Sequence, residues 1–242
     1  MDEKLLRTLA EHWDLDADRA EPLTGGDECA VWRVSESLVL RVAADTRTPK
    51  QVLWSCDAAA ALSEQVPEVV APILTVHGAT AHERVSVWPF VPGERADRDD
   101  PSIRDQAAEL LARLHTVNGQ RERGIVHGDY YRGNLLVDGG YIVGLIDWDE
   151  ARVDDYVTEF AWSMWEFAKS PDGTTMLADR ADRFADVYRQ VGGRSITIDE
   201  AIPWIRDRLA AEIERSRERR DAGLPADEAY EAAEIEALRN LS

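Results

Sequence analysis

Three oxygen-bearing side chains in one short stretch carry the chemistry that this sequence makes legible. The stretch, GIVHGDYYRGNLLVDGGYIVGLIDWDEA, runs from Gly124 to Ala151 and holds Asp129, Asn134 and Asp147. All three offer hard oxygen ligands or proton acceptors and no soft ones, a set that suits Mg2+ sharing its shell with substrate phosphates. In phosphoryl transfer from a nucleotide, one Asp orients the attacking hydroxyl and accepts its proton, while an Asn and a second Asp hold the metal. Asp, then Asn, then Asp beyond a turn is the order of a kinase catalytic loop followed by its metal-binding Asp. His127, two positions before Asp129, reads as a structural hydrogen-bonding group of the loop rather than as a catalyst.

The elements around this stretch must bring the three groups together. Asp138-Gly139-Gly140 lies between the apolar runs 135–137 and 141–146, a hairpin signal. A hairpin returns the chain to where it started, so Asp129 and Asn134 are expected near Asp147. Upstream, Leu5, Leu6, Leu9 and Trp13 fall at helical spacing. Strands are expected over 30–34, 38–42, 73–76 and 84–90, with a helix over about 50–64. Trp88-Pro89-Phe90-Val91-Pro92-Gly93 breaks periodicity and signals a linker. Beyond it, Asp100 as N-cap and Pro101 at the first helical position open a helix whose apolar face is Ile103, Ala107, Leu110, Leu111 and Leu114. After Asp149 the pattern is helical, over 157–169, 176–191, 199–219 and 226–241.

His127-Gly128-Asp129 with Gly133-Asn134, followed by Ile146-Asp147-Trp148-Asp149, resembles the aminoglycoside phosphotransferase family of small-molecule kinases. Protein kinases usually carry Arg between the His and the Asp, and Phe-Gly after the metal Asp; this chain has Gly128 and Trp148-Asp149, and no Ala-Pro-Glu segment follows. The resemblance implies an α+β, protein-kinase-like bilobal fold, with a small β-rich N-lobe over 1–91 and a larger helical C-lobe over 92–242. It implies ATP or GTP and Mg2+ as cofactors and a small-molecule hydroxyl as acceptor. Asp129 would be the catalytic base, with Asn134 and Asp147 on the metal. Gly25 and Gly26 would cover the nucleotide, where glycine lets backbone N–H groups approach phosphate. Arg41 stands where kinases place a phosphate-contacting Lys, and Asp57, or else Glu64, would be its acidic partner. Pro89, Phe90 and Val91 would offer backbone to the adenine. Asp149, Glu159, Trp162 and Glu166 would face the acceptor. Glu159-Phe160-Ala161 stands where the family usually has Asp-Leu-Ala.

Acidic groups and aromatic faces there suit an amine-bearing acceptor through ion pairs and cation–π contact. That fits an aminoglycoside or related cationic antibiotic, and equally a choline-like amino-alcohol. A catalytically silent kinase-shaped binding module is the rival of another class. A metal-dependent hydrolase would want more converging histidines than the five scattered through this chain. Composition sets outer bounds. The net charge of −19, from 28 Lys and Arg against 47 Asp and Glu, argues against nucleic-acid binding. Cys29 and Cys56 lack metal spacing or a secreted disulfide pattern and read as reduced cytoplasmic thiols. Neither a signal peptide nor a membrane span is expected. The residues at 215, 217, 219 and 220, all Arg, read as a solvated helix end.

Overall fold

The structure, a computed structural model, describes residues 3–16, 20–23, 29–117, 119, 121–225 and 227–241. In chain order the elements are α1 (Glu3–Trp13), β1 (Glu21–Pro22), β2 (Ala30–Arg33), β3 (Leu38–Val42), α2 (Pro49–Ser63), β4 (Val85–Pro89) and β5 (Glu94–Arg95). Then follow α3 (Pro101–Thr116), β6 (Arg123–Val126), a 3-10 turn (Arg132–Asn134), β7 (Leu135–Asp138), β8 (Tyr141–Leu145) and β9 (Arg152–Asp155). Four helices complete the chain: α4 (Tyr156–Ala168), α5 (Ala178–Gln190), α6 (Ile198–Asp221) and α7 (Glu228–Asn240). The N-terminal part is rich in sheet and the C-terminal part helical. Two compact units result: 1–94 with 135–152, and 95–134 with 153–242. The expected division falls after residue 91, whereas the first of these units runs to residue 94 and takes in the hairpin after Asn134.

In the first unit, β1 to β4 form an antiparallel sheet in sequence order. The α1 face supplies Leu9 and Trp13 to a core with Val34, Leu40, Val85 and Val87. Side chains alternate across a strand. With Leu40 in that core, its neighbour Arg41 is therefore sent to the opposite face; Arg41 pairs with Ser86 in the β3–β4 register. Thr48 and Gln51 form a capping box that starts α2, with Pro49 in its first turn. The expected strand over 73–76 is reduced to a single bridge, Ile73 with Val87. His12, His77 and His82 come together here, with His12 and His82 stacked at 3.5 Å. The expectation of scattered histidines therefore fails for these three, because the contact joins a helix to two distant turns.

The hairpin of the same unit follows its turn chemistry. Leu135 pairs with Leu145 and Asp138 with Tyr141. Gly139 and Gly140 both have positive φ, 57° and 84°, as a two-residue I′-type connection requires. Leu145 N–H donates to Glu68 O at 2.6 Å, and Val70 N–H to Leu145 O at 3.1 Å, fastening β8 to the segment after α2.

In the second unit α4 is buried along nearly its whole length, apolar over most of its circumference with Glu159, Ser163 and Glu166 on one stripe, the pattern of a core helix. It packs against α3, α5 and α6, and α7 packs on α6. Phe167 stacks on Phe184 at 5.8 Å and Phe160 meets Tyr188 at 4.7 Å. β6 and β9 form a two-stranded sheet. Among the described residues no helix is long and apolar enough to cross a membrane.

Candidate active site

The loop from His127 to Asn134 is held by buried polar groups of the helical unit. Gly128 has φ +84°, a backbone state that favours glycine. Its N–H donates to Glu159 Oε1 at 2.6 Å. Glu159 Oε2 meets His115 Nε2 at 2.9 Å, and His115 Nδ1 meets the Tyr188 hydroxyl at 2.7 Å. Burial, and then the Glu159 charge, push the Tyr188 pKa up. Tyr188 therefore keeps its proton as a donor towards His115 Nδ1, which places the ring N–H of His115 at Nε2, towards Glu159. The Tyr130 hydroxyl donates to Ala107 O at 2.8 Å, and Ser163 donates to Tyr130 O at 3.3 Å. His127 is buried, and its Nδ1 accepts the Asp129 N–H at 3.3 Å.

Asp129 stands at the open side of this support. Its side chain is 34% exposed. The Asn134 amide donates to Asp129 Oδ2 at 3.0 Å and to the Asp129 carbonyl at 2.9 Å. Those bonds occupy the Asn134 NH2 and leave its carbonyl oxygen as the remaining donor to a cation. Asp129 Oδ1 faces Arg208 Nη2, from α6, at 4.0 Å. Arg208 Nε lies 2.8 Å from Glu212 Oε1, and its Cζ is 5.2 Å from the centroid of the Trp162 ring.

The same face of the helical unit carries a group of acids. Glu166 pairs with Lys169 Nζ at 2.5 Å. Glu234, on α7, is 4% exposed, and both its carboxylate oxygens are buried without a hydrogen bond. The Tyr230 hydroxyl lies beside it. Burial, with repulsion from Glu212 and Glu166, pushes the Glu234 pKa up to about 7, against the lowering influence of Tyr230 and Lys169.

In the first unit, Arg41 Nη2 donates to Asp147 Oδ1 at 2.7 Å and to Asp149 Oδ2 at 3.2 Å. These two carboxylates hold the guanidinium pKa up despite its burial. Cys29 Sγ donates to Asp149 Oδ2 at 2.8 Å, and Arg47 reaches the Asp149 carbonyl. Burial, then the charge of Asp149, raise the Cys29 thiol to about 11. Asp147 has φ +66°, a left-handed state that is uncommon outside glycine, though aspartate enters it more readily than most residues. Such outliers gather at sites where surrounding structure enforces them.

Several expected roles change against this geometry. Asp57 is not the partner of Arg41; it accepts the Thr80 hydroxyl at 2.5 Å, and Arg41 pairs with Asp147 and Asp149 instead. Asp149 is thereby committed to Arg41 and Cys29 rather than to an acceptor. Glu159 and Glu166 are each 4% exposed and already paired, the first to the loop and the second to Lys169, so neither offers a free carboxylate. Trp162 is 7% exposed and lies beneath Arg208. The Phe90 N–H donates to Ser37 O at 2.7 Å, which removes it as a donor to an adenine; Pro89 and Val91 flank it half-buried. Gly25 and Gly26 lie outside the described residues. Arg208 and Glu234 were not singled out by the sequence, since one sits in an Arg-rich helix and the other in an acid-rich one.

The family model described as phosphotransferase enzyme family matches residues 19–124 and 116–194. A homoserine kinase of Methylobacillus glycogenes is 32% identical over 82 residues, covering 34% of this chain and 25% of that protein. The chain thus spans about a quarter of the length of that curated relative. Among solved structures, an amicoumacin kinase in complex with AMP-PNP, Ca2+ and Ami aligns with a TM-score of 0.74 at 14% identity, covering 100% of this chain and 93% of that one. A choline/ethanolamine kinase family protein from Mesorhizobium loti aligns with a TM-score of 0.71 at 14% identity, covering 98% and 92%. At these identities the structural likeness is one of fold.

Proposed function

The chain belongs to the phosphotransferase enzyme family, and from that premise we propose that it transfers the γ-phosphoryl group of ATP or GTP to a hydroxyl of a small acceptor. The observation that carries this reading is the held loop. Asp129 is partly exposed, joined to Asn134 at 3.0 Å, and backed by a buried Glu159–His115–Tyr188 chain of hydrogen bonds. A carboxylate fixed in this way can orient a hydroxyl and take its proton. The acceptor O–P bond forms as the bond from the γ-phosphorus to the bridging oxygen breaks. The hydroxyl proton goes to Asp129 and then to solvent, leaving a phosphate ester and a nucleoside diphosphate.

Asn134 through its carbonyl oxygen and Asp147 through its carboxylate are the residues that would hold Mg2+. Both are hard oxygen donors, and among the described residues no cluster of three or more His, Cys, Asp or Glu could hold a metal by itself. That donor set fits an ion which takes one or two protein ligands and completes its shell with phosphates and water. When bound, Mg2+ neutralises charge on the nucleotide phosphates. Arg41 would orient Asp147 through their ion pair, and the backbone near Pro89 and Val91 would meet the adenine.

The acceptor carries an amine in this reading, and Glu234 would receive it, in place of the paired Glu159 and Glu166. Aminoglycosides and related cationic antibiotics answer to that description, and so do amino-alcohol metabolites; the homoserine kinase match favours an acceptor of metabolite size. The test is Mg2+-dependent phosphorylation of a panel of aminoglycosides, other antibiotics and amino-alcohols, read by mass spectrometry. Transfer that is lost in Asp129→Asn, with the thermal transition unchanged, supports the reading. Transfer that persists in the variant removes Asp129 from the chemistry and refutes it.

A further inference from the structure

We propose that Arg208 is an anion receptor for the acceptor, so that the preferred acceptor bears a carboxylate or phosphate close to the hydroxyl that is phosphorylated. The inference rests on the phosphotransferase reading above and narrows its substrate class.

Four observations carry it. First, α6 brings the guanidinium to the catalytic carboxylate, 4.0 Å from Asp129 Oδ1. That is the outer limit of an ion pair, and too long for a hydrogen bond. Second, the side chain is only 22% exposed, and a cation at such depth is expected to be matched by anions. Its Nε is buried and makes no hydrogen bond of good geometry, although Glu212 is 2.8 Å away. A guanidinium presents five donors in a fixed fork, and these contacts leave that capacity underused. Third, the group is held in one orientation, with its Cζ over the Trp162 ring and Glu212 one helical turn further along α6. A planar fork fixed against an aromatic face is arranged for two-oxygen anions rather than for a diffuse field. Fourth, Arg208 sets a like charge beside the place where an acceptor hydroxyl must lie to reach Asp129. An ammonium group adjacent to that hydroxyl would meet it at short range, in surroundings where like charges repel strongly.

An ammonium is accommodated elsewhere. Glu212 pairs with Arg208, and Glu234 lies among Glu212, Glu166 and Lys169, with both of its oxygens lacking hydrogen bonds. The succession Asp129, Arg208, Glu212, Glu234 therefore offers a base, a cation and then acids. A compact hydroxy compound with an anion near its hydroxyl and an amine beyond it matches that order. A polyamine sugar does not.

The experiment uses the full chain with ATP, Mg2+ and matched acceptors that differ in the anionic group. Homoserine is compared with 3-aminopropan-1-ol, serine with ethanolamine, and glycerol 3-phosphate with glycerol; kanamycin is the polycationic reference. The anion-bearing member of a pair is expected to be favoured about tenfold or more in kcat/KM, chiefly through KM, because its absence leaves a buried donor unpaired. The carboxylate and phosphate pairs identify which source supplies the anion. Arg208→Gln should bring the ratio towards one, and Arg208→Lys should restore part of it. A ratio unchanged in Arg208→Gln, or kanamycin and the anion-free members preferred, overturns the proposal. Binding of the same pairs is followed by ligand-observed NMR. If nothing is phosphorylated, the parent reading fails. Selective binding of the anionic members that is lost in Arg208→Gln still supports the receptor, and equal binding refutes it.

Discussion

Replacing Glu234 with glutamine should stabilise the protein by more at pH 8 than at pH 5. The carboxylate is 4% exposed, and neither oxygen has a hydrogen bond. Burial raises its pKa from 4.5 to about 7 in the folded chain. Between those two values the folded state holds a proton that the unfolded state has lost, so stability falls as pH rises through that window and levels off above it. The full interval amounts to about 3 kcal/mol at about 1.4 kcal/mol per pH unit. Neighbouring Tyr230 is 42% exposed, so water reaches that side, and solvent screening lowers the expected difference to about 1–2 kcal/mol. Glutamine keeps the shape and removes the ionisation. Thermal unfolding at matched ionic strength should show a gain about 2–8 °C larger at pH 8 than at pH 5, at about 2–4 °C per kcal/mol for a chain of this size. The same variant should bind amine-bearing acceptors more weakly. Equal shifts at both pH values, or a loss of stability at pH 8, would show that Glu234 is not a strained acid.

Asp129→Asn should lower transfer by about a hundredfold to ten-thousandfold, the usual share of a positioned base, with the unfolding transition unmoved. Glu159→Ala should do both kinds of damage. It leaves the Gly128 N–H and His115 Nε2 buried without their acceptor, at about 1–3 kcal/mol each, and calorimetry together with kcat should register the loss. Arg41→Met should cost about 1–3 kcal/mol, below the figure for a fully buried pair because Asp147 is 46% exposed, as chemical denaturation would show. Cys29 and Cys56, with thiols held at about 11 and about 12 chiefly by burial, should react with iodoacetamide at pH 8 about a hundredfold or more slower than glutathione. Mass spectrometry of timed samples decides this, and Asp149→Asn should speed Cys29, which loses both the charge and the hydrogen bond of Asp149, more than Cys56, which loses only the more distant charge.

What could be read in advance was local. The hairpin was legible because Asp138-Gly139-Gly140 states its own turn, and two consecutive positive-φ glycines leave few alternatives. The α3 start was legible for the same reason: Asp100 accepts the Ser102 N–H at 2.8 Å, and Pro101 follows it. Pairings across long sequence separations were not legible. The partners of Arg41 lie 106 and 108 positions away, whereas the expected partner Asp57 was simply the nearest acid on the next helix. Glu159 was expected to face the acceptor because it is acidic and follows the catalytic stretch. Its neighbours argued otherwise, since a helix dominated by large apolar side chains is buried, and a glutamate within it must find a donor inside the protein. Arg208 was hidden among other arginines, because which face of α6 meets the catalytic loop is decided by packing on α4 rather than by spacing along α6.

The buried acids of the helical unit show how support and function separate. A buried charge is tolerated when it is paired, and removing its partner is costly. Glu159 meets this condition with Gly128 and His115, and Glu166 meets it with Lys169. The first of these pairings fixes the loop that presents Asp129, so the burial of α4 is itself what holds that carboxylate in place. Glu234 is the exception among the described residues, the one carboxylate with both oxygens buried and unbonded. Sequences tend to break local consistency where function requires it. A buried acid with no partner for either oxygen is therefore better accounted for by a ligand it must meet than by the fold alone.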